Sequence, residues 1–146
     1  MINKRILSLL ILTGVMAGLV GIAFTNLMHF IQHATYNYTE ADHFSFGMGV
    51  AHVSPEHRVV ALLLCGLVGG VGWYLIHRYG KPLVDVKKAV TNPDMTMPTL
   101  TTLFHATLQI ITVGMGSPLG REVAPREASS ALITGAMKFK SEAKRS

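Results

Sequence analysis

Gly114-Met115-Gly116-Ser117-Pro118-Leu119-Gly120-Arg121-Glu122-Val123-Ala124-Pro125-Arg126-Glu127 breaks into an otherwise apolar region of the chain. Three glycines and two prolines within this stretch preclude regular helix throughout. Upstream, residues 97–119 carry no charge, and His105 is the one ionisable side chain among them. Downstream, the uncharged residues 128–137 are too few to span a bilayer. Counted from Val123 the segment would reach about 22 Å at ~1.5 Å per residue, against a hydrocarbon core of ~30 Å. The stretch therefore predicts a helix that breaks at the glycines and a half-helix that begins inside the membrane.

Irregular backbone is tolerated at membrane depth only where protein buries it or where it lines a watery cavity. A helix N-terminus aimed into such a cavity offers unsatisfied N–H groups and a partial positive charge, and so attracts anions without a full cation to trap them. Glu122, just before the predicted half-helix, is the carboxylate placed to stand in that pathway. Ionised it occupies the anion's position; protonated it leaves that position or carries a proton. The competing reading makes residues 120–127 a solvated loop between two helices, with Arg121, Glu122, Arg126 and Glu127 as surface charges. The same glycines mimic a GxGxxG phosphate loop, but no strand–helix–strand unit surrounds them, which argues against a dinucleotide site.

Working outward, residues 6–28 contain no ionisable side chain, a run of 23, long enough to span. Lys4 and Arg5 precede it in the manner of a secretory signal, yet the run exceeds the ~7–15 residues of such an apolar segment and no A-x-A-like cleavage site follows. Gly14 and Gly18 form a GxxxG pair suited to close helix contact. Residues 29–58 read as an external polar loop: Glu40, Asp42 and Glu56 accompany a single Lys or Arg, Arg58. Its five histidines, His29, His33, His43, His52 and His57, match no compact metal-ligand spacing and read as solvated or interfacial. Residues 59–76 form a second uncharged block whose Gly66, Gly69, Gly70 and Gly72 predict one smooth helix face. Arg78, Lys81, Lys87 and Lys88 follow at once, so the positive-inside rule puts them on the cytoplasmic side with Lys4 and Arg5.

Residues 77–96 then make a cytoplasmic segment with a short helix at 83–90 and a turn at Thr91-Asn92-Pro93-Asp94. The full layout is residues 1–5 cytoplasmic, 6–28 spanning, 29–58 external, 59–76 spanning, 77–96 cytoplasmic, 97–119 spanning, 120–137 gate loop and half-helix, and 138–146 a basic tail. Composition agrees with this all-α integral-membrane reading. Of 146 residues 49% are hydrophobic and only 14% charged, and mean hydropathy is +0.38. The net charge of +5 gathers outside the apolar blocks, not over an amphipathic surface. The lone Cys65 lies inside an apolar block, which excludes an intramolecular disulfide framework and points to packing. No metal-ligand set and no nucleophile–base pair stands at a usable spacing, so an enzyme and a resident cofactor are the least supported classes, and no feature points to nucleic acid.

Ser117-Pro118-Leu119-Gly120-Arg121-Glu122 resembles the GSxGREGP signature of the CLC family of chloride channels and proton-coupled anion transporters. Two glycine-rich spans and a short amphipathic segment precede it in the order that family uses. The resemblance covers the N-terminal portion of a family member and implies that Glu122 is the gating, proton-accepting glutamate. It implies further that Ser117, Gly120, Arg121 and Val123 flank the anion path. Val123 and Ala124 replace the signature's glycine and proline, with Pro125 one place late. The family's earlier GSGIP motif aligns with Gly80-Lys81-Pro82-Leu83-Val84, which puts Lys81 where a serine coordinates the anion; a cytoplasmic anchor is the equal alternative for Lys81. The family's second half, with its GxFxP-like motif and central tyrosine, is not in these residues, so the expected partners are the lipid bilayer, a missing C-terminal half or complementary chain, and a second copy in a homodimer. The expected place is the cell membrane, crossed several times, in bacteria the inner membrane. The expected function is transport of chloride or a similar monovalent anion as channel or exchanger. The rival is a non-transporting membrane module that assembles through its glycine faces, a fragment or truncated product.

Overall fold

The computed structural model describes residues 4–38, 45–91, 97–120 and 122–143, and those residues are helix and connection with no strand among them. In chain order the helices are α1 (Lys4–Tyr36), α2 (Phe46–His52), α3 (Pro55–Tyr79), α4 (Val86–Thr91), α5 (Thr99–Gly114) and α6 (Val123–Ala143). Helices α1 and α3 are long and apolar enough to cross a membrane. The all-α class and the two glycine-rich long helices agree with the sequence reading.

The helix ends differ from the predicted boundaries, each for a local reason. Helix α1 runs eight residues past Met28, because Met28, Gln32 and Tyr36 recur on one face and are all buried. It stops where Asn37 adopts a left-handed conformation, φ 52°, and donates its N–H to the His33 carbonyl at 2.8 Å. Much of the predicted external loop is thus helical. Helix α3 starts four residues early, at Pro55, with Ser54 as N-cap accepting from the His57 N–H. It continues to Tyr79 before Gly80 and Pro82 end it. The short helix predicted at 83–90 is present as α4, displaced to Val86–Thr91. The turn expected at 91–94 lies largely outside the described residues, as do His43, Lys144 and Arg145.

Helix α5 has 16 residues where a span of 23 was expected. Pro98 caps its start, and at its end Gly116, φ +104°, adopts a conformation that L side chains disfavour. There the Gly116 N–H donates to the Val113 carbonyl and the Ser117 N–H to the Thr112 carbonyl, each at 3.0 Å, which is a Schellman termination. The glycine-rich break is therefore a capped helix end. Helix α6 begins at Val123 and runs 21 residues, about 31 Å, into the predicted basic tail. No helix breaker follows Gly135, so nothing stops it at residue 137.

Helices α5 and α6 lie against each other through small side chains: Ala106, Ala124, Ala128 and Ala131 are wholly buried. Helix α1 closes over this pair, with Met28 and Ile110 completing the core and Phe24, Leu27 and Leu103 packed at its edge. Gly114 allows the approach, since a Cβ there would lie 2.9 Å from the Ile31 Cγ2 and 3.4 Å from the Met28 carbonyl oxygen. Helix α3 packs on the other side of α5 through buried Ala61, Cys65 and Gly69, and the Cys65 thiol donates to the Thr112 carbonyl at 3.4 Å. The predicted smooth face of α3 divides: Gly69 is buried while Gly66 and Gly70 are exposed. Gly14 and Gly18 of α1 are exposed as well.

Candidate functional site

The turn that carries Glu122 is held from three sides. The Tyr36 hydroxyl, at the end of α1, donates to the Met115 carbonyl at 2.8 Å. From α5, the Gln109 amide donates to the Gly120 carbonyl at 3.1 Å. The Schellman bonds fix Gly116 and Ser117 to the end of α5. Tyr36 and Gln109 are buried and the bonds they make are part-buried, so losing either leaves a buried side-chain polar group short of a partner. The chain folds back along α5 so that Gly120 sits beside Gln109 and α6 starts next to Ile110.

This return delivers Glu122 to a cavity of about 410 Å³. Gly21, Thr25, Met28 and His29 of α1 form one wall, Ile110 of α5 the floor, and Glu122 and Pro125 the rim at the start of α6. Glu122 is exposed, and the residue after it opens α6, at the positive end of the helix dipole. An acidic side chain, a hydroxyl and an imidazole thus share a small space otherwise walled by apolar groups. Such a space suits a small ion that exchanges with a carboxylate or a proton.

The other predicted residues fall as follows. Ser117 is half-buried in the turn, with its N–H committed to Thr112, and Gly120 is exposed with its carbonyl held by Gln109. Val123 is the first residue of α6 and has helical backbone, so the loss of a glycine there introduces no strain. Arg121 lies outside the described residues. Lys81 is not at the cavity: its N–H donates to the Thr101 Oγ1 at 3.3 Å, nine residues before Ile110 on α5, or about 13 Å along the helix.

The sequence reading missed Tyr36, Gln109, Thr25 and His29. For the α1 wall a signal was present, because Gly21, Thr25 and His29 recur every fourth residue and so share a face. Tyr36 gave none, since it sat in a segment read as loop. Five residues beyond Glu122, Glu127 faces α5 instead, with an oxygen 3.3 Å from the His105 Nδ1. Both side chains are about one-fifth exposed, at 22% and 19%, and the Trp73 ring of α3 lies 6.3 Å from the imidazole.

Residues 61–146 match the sequence pattern of the family described as voltage gated chloride channel. The chain belongs to that family. The matched region runs from α3 through α6 and so takes in the turn, Glu122 and the α5–α6 pair, which is more than half the chain. No curated protein and no solved structure matches the chain. Membership agrees with a membrane setting for α1 and α3 and with ion transport as the family's business.

Proposed function

We propose that this protein takes part in moving chloride or a similar monovalent anion across a membrane, as a channel or a proton-coupled exchanger, with Glu122 as the gate. The observation that carries the reading is the position of Glu122 on a cavity between three helices, beside the first turn of α6 and behind a turn pinned by Tyr36 and Gln109. When ionised, the carboxylate competes with the anion for the positive end of α6; when protonated it releases that position and carries a proton. Ser117 and Gly120 of the turn and Val123, the first residue of α6, flank the path, and Arg121 is assigned to it by its place in the sequence alone. Lys81, at the far end of α5, acts outside the path. The remaining wall comes from a second set of helices, in a C-terminal half or complementary chain, within a homodimer. The protein crosses the cell membrane several times, in bacteria the inner membrane, with its basic segments facing the cytoplasm. The test is anion efflux from proteoliposomes at several pH values: the dependence on pH should vanish in Glu122→Gln, and a dependence left intact would remove Glu122 from the gate.

A second reading is supported by the open face of α1, where a Cβ on Gly14 or Gly18 would touch nothing within 4 Å while Leu10, Ile11 and Leu19 are exposed. On this reading the protein is an assembly module that joins other membrane helices through small residues. Cysteine crosslinking at position 14 in membranes decides it: a homo- or hetero-oligomer trapped there supports the module, and none counts against it.

A further inference from the structure

On the face of α5 away from the Glu122 cavity, α3 and α5 diverge to leave a groove of about 680 Å³. Its walls are Leu75, Ile76 and Tyr79 of α3 and Leu100, Phe104 and Ile111 of α5, and its polar side chains are Tyr79, Thr101 and Thr107. The rims are open: Tyr79 is 80% exposed, Leu100 73% and Phe104 66%. An apolar trough with such rims, along a helix fit to cross a membrane, opens sideways to hydrocarbon and not to an aqueous solute.

One end of the groove differs chemically from the rest. At Gly80 the chain leaves α3 and crosses to α5, where the Lys81 N–H donates to Thr101 Oγ1, a hydroxyl in the groove wall. That bond fixes the backbone of Lys81 at the groove's end with its side chain exposed. Arg78, Lys87 and Lys88 are exposed within residues 78–88, where Asp85 is the one acidic residue. Tyr79 stands at the same end, and an amphipathic ring of this kind sits at headgroup level. The groove therefore joins an apolar trough to a cationic end, the pattern by which basic pockets beside membrane helices hold anionic lipid headgroups.

We propose that this groove is a binding site for an anionic phospholipid, with an acyl chain lying between α3 and α5 and the phosphate paired to Lys81. Charge complementarity selects the occupant: the apolar walls take a hydrocarbon chain and the Lys81 end takes a negative headgroup. The site is separate from the Glu122 cavity, and its test does not depend on transport.

The experiment reconstitutes the full chain with equal amounts of phosphatidylglycerol and phosphatidylcholine, counts retained lipids by native mass spectrometry, and maps contacts with phosphatidylglycerol carrying a photoreactive acyl chain. Phosphatidylglycerol should be retained in preference, with labels on peptides from α3 and α5. Lys81→Gln should lower the preference about fivefold, the share of one cation near the headgroup, while the acyl label stays. Thr107→Trp, which fills the trough, should remove the label; Lys81→Gln is an exposed change and keeps the test valid if the tryptophan variant misfolds. Equal retention of the two lipids, a preference indifferent to Lys81→Gln, or groove residues that crosslink to protein in place of lipid would each overturn the proposal.

Discussion

The Tyr36 hydroxyl donates to the Met115 carbonyl at 2.8 Å, across 79 positions of sequence, so the last residue of α1 holds the turn that presents Glu122. The oxygen it engages belongs to the C-cap of α5, whose carbonyl has no partner within the helix. Position of the gate and length of α1 are thereby linked: had α1 ended at Met28, this carbonyl would be left to water.

Removing that hydroxyl should loosen the turn without emptying the core. Tyr36→Phe keeps the ring, which packs edge-on against Phe46 at 5.6 Å, and loses one part-buried hydrogen bond. The expected loss is about 1 kcal/mol of stability, read from thermal unfolding in detergent. An unchanged midpoint would show that the bond contributes nothing.

Gly116 should tolerate no side chain. Its φ of +104° disfavours L residues, and an added Cβ would lie 2.9 Å from the Tyr36 Oη. Gly116→Ala should cost about 1–2 kcal/mol by backbone strain alone, and more if Tyr36 is displaced. The contrast is Gly14→Ala, where the Cβ meets nothing within 4 Å and unfolding in detergent should be unchanged or slightly improved.

Thr102 is 1% exposed and its hydroxyl has no hydrogen-bond partner among the described residues. Burying an unpaired hydroxyl is unfavourable, so Thr102→Val, which keeps the shape and removes the polar atom, should stabilise the α5–α6 packing by about 1 kcal/mol. A loss of stability on the same unfolding assay would mean that the hydroxyl is satisfied in the membrane.

Glu127 and Glu122 share a helix start yet should behave differently. Glu127 pairs with His105 between α5 and α6, whereas Glu122 faces the cavity. Glu127→Ala should cost about 1–3 kcal/mol of stability, because a part-buried imidazole loses its acceptor. Glu127→Gln, which retains an acceptor oxygen, should recover most of that and leave the pH dependence of anion flux in place. Loss of that dependence in Glu127→Gln would move the proton-bearing role from one glutamate to the other.

Spans α1 and α3 were legible because twenty or so uncharged residues in a row admit few other readings. The break after α5 was legible for a similar reason, since glycine and proline restrict backbone whatever surrounds them. Glu122 stood out as a carboxylate beside that break. The turn's supports were not legible, because they depend on which residues meet in space. Tyr36 lies in a polar stretch with no local signature, and its place on the buried face with Met28 and Gln32 shows only once the helices pack. Helix α6 outran its predicted end because the boundary was set by charge, while helix propagation through residues 138–143 depends on propensity and tolerates lysine. For Lys81 the sequence left two roles open; its tie to Thr101 places it at the end of α5 remote from Glu122.

The most direct test records anion and proton movement together in proteoliposomes holding the complete protein, with its complementary half, as wild type or as Glu122→Gln. The expected result is anion flux that depends on pH in the wild type and flux indifferent to pH in the variant, with proton movement abolished. Proton movement that persists in Glu122→Gln at the wild-type ratio to anion would contradict it.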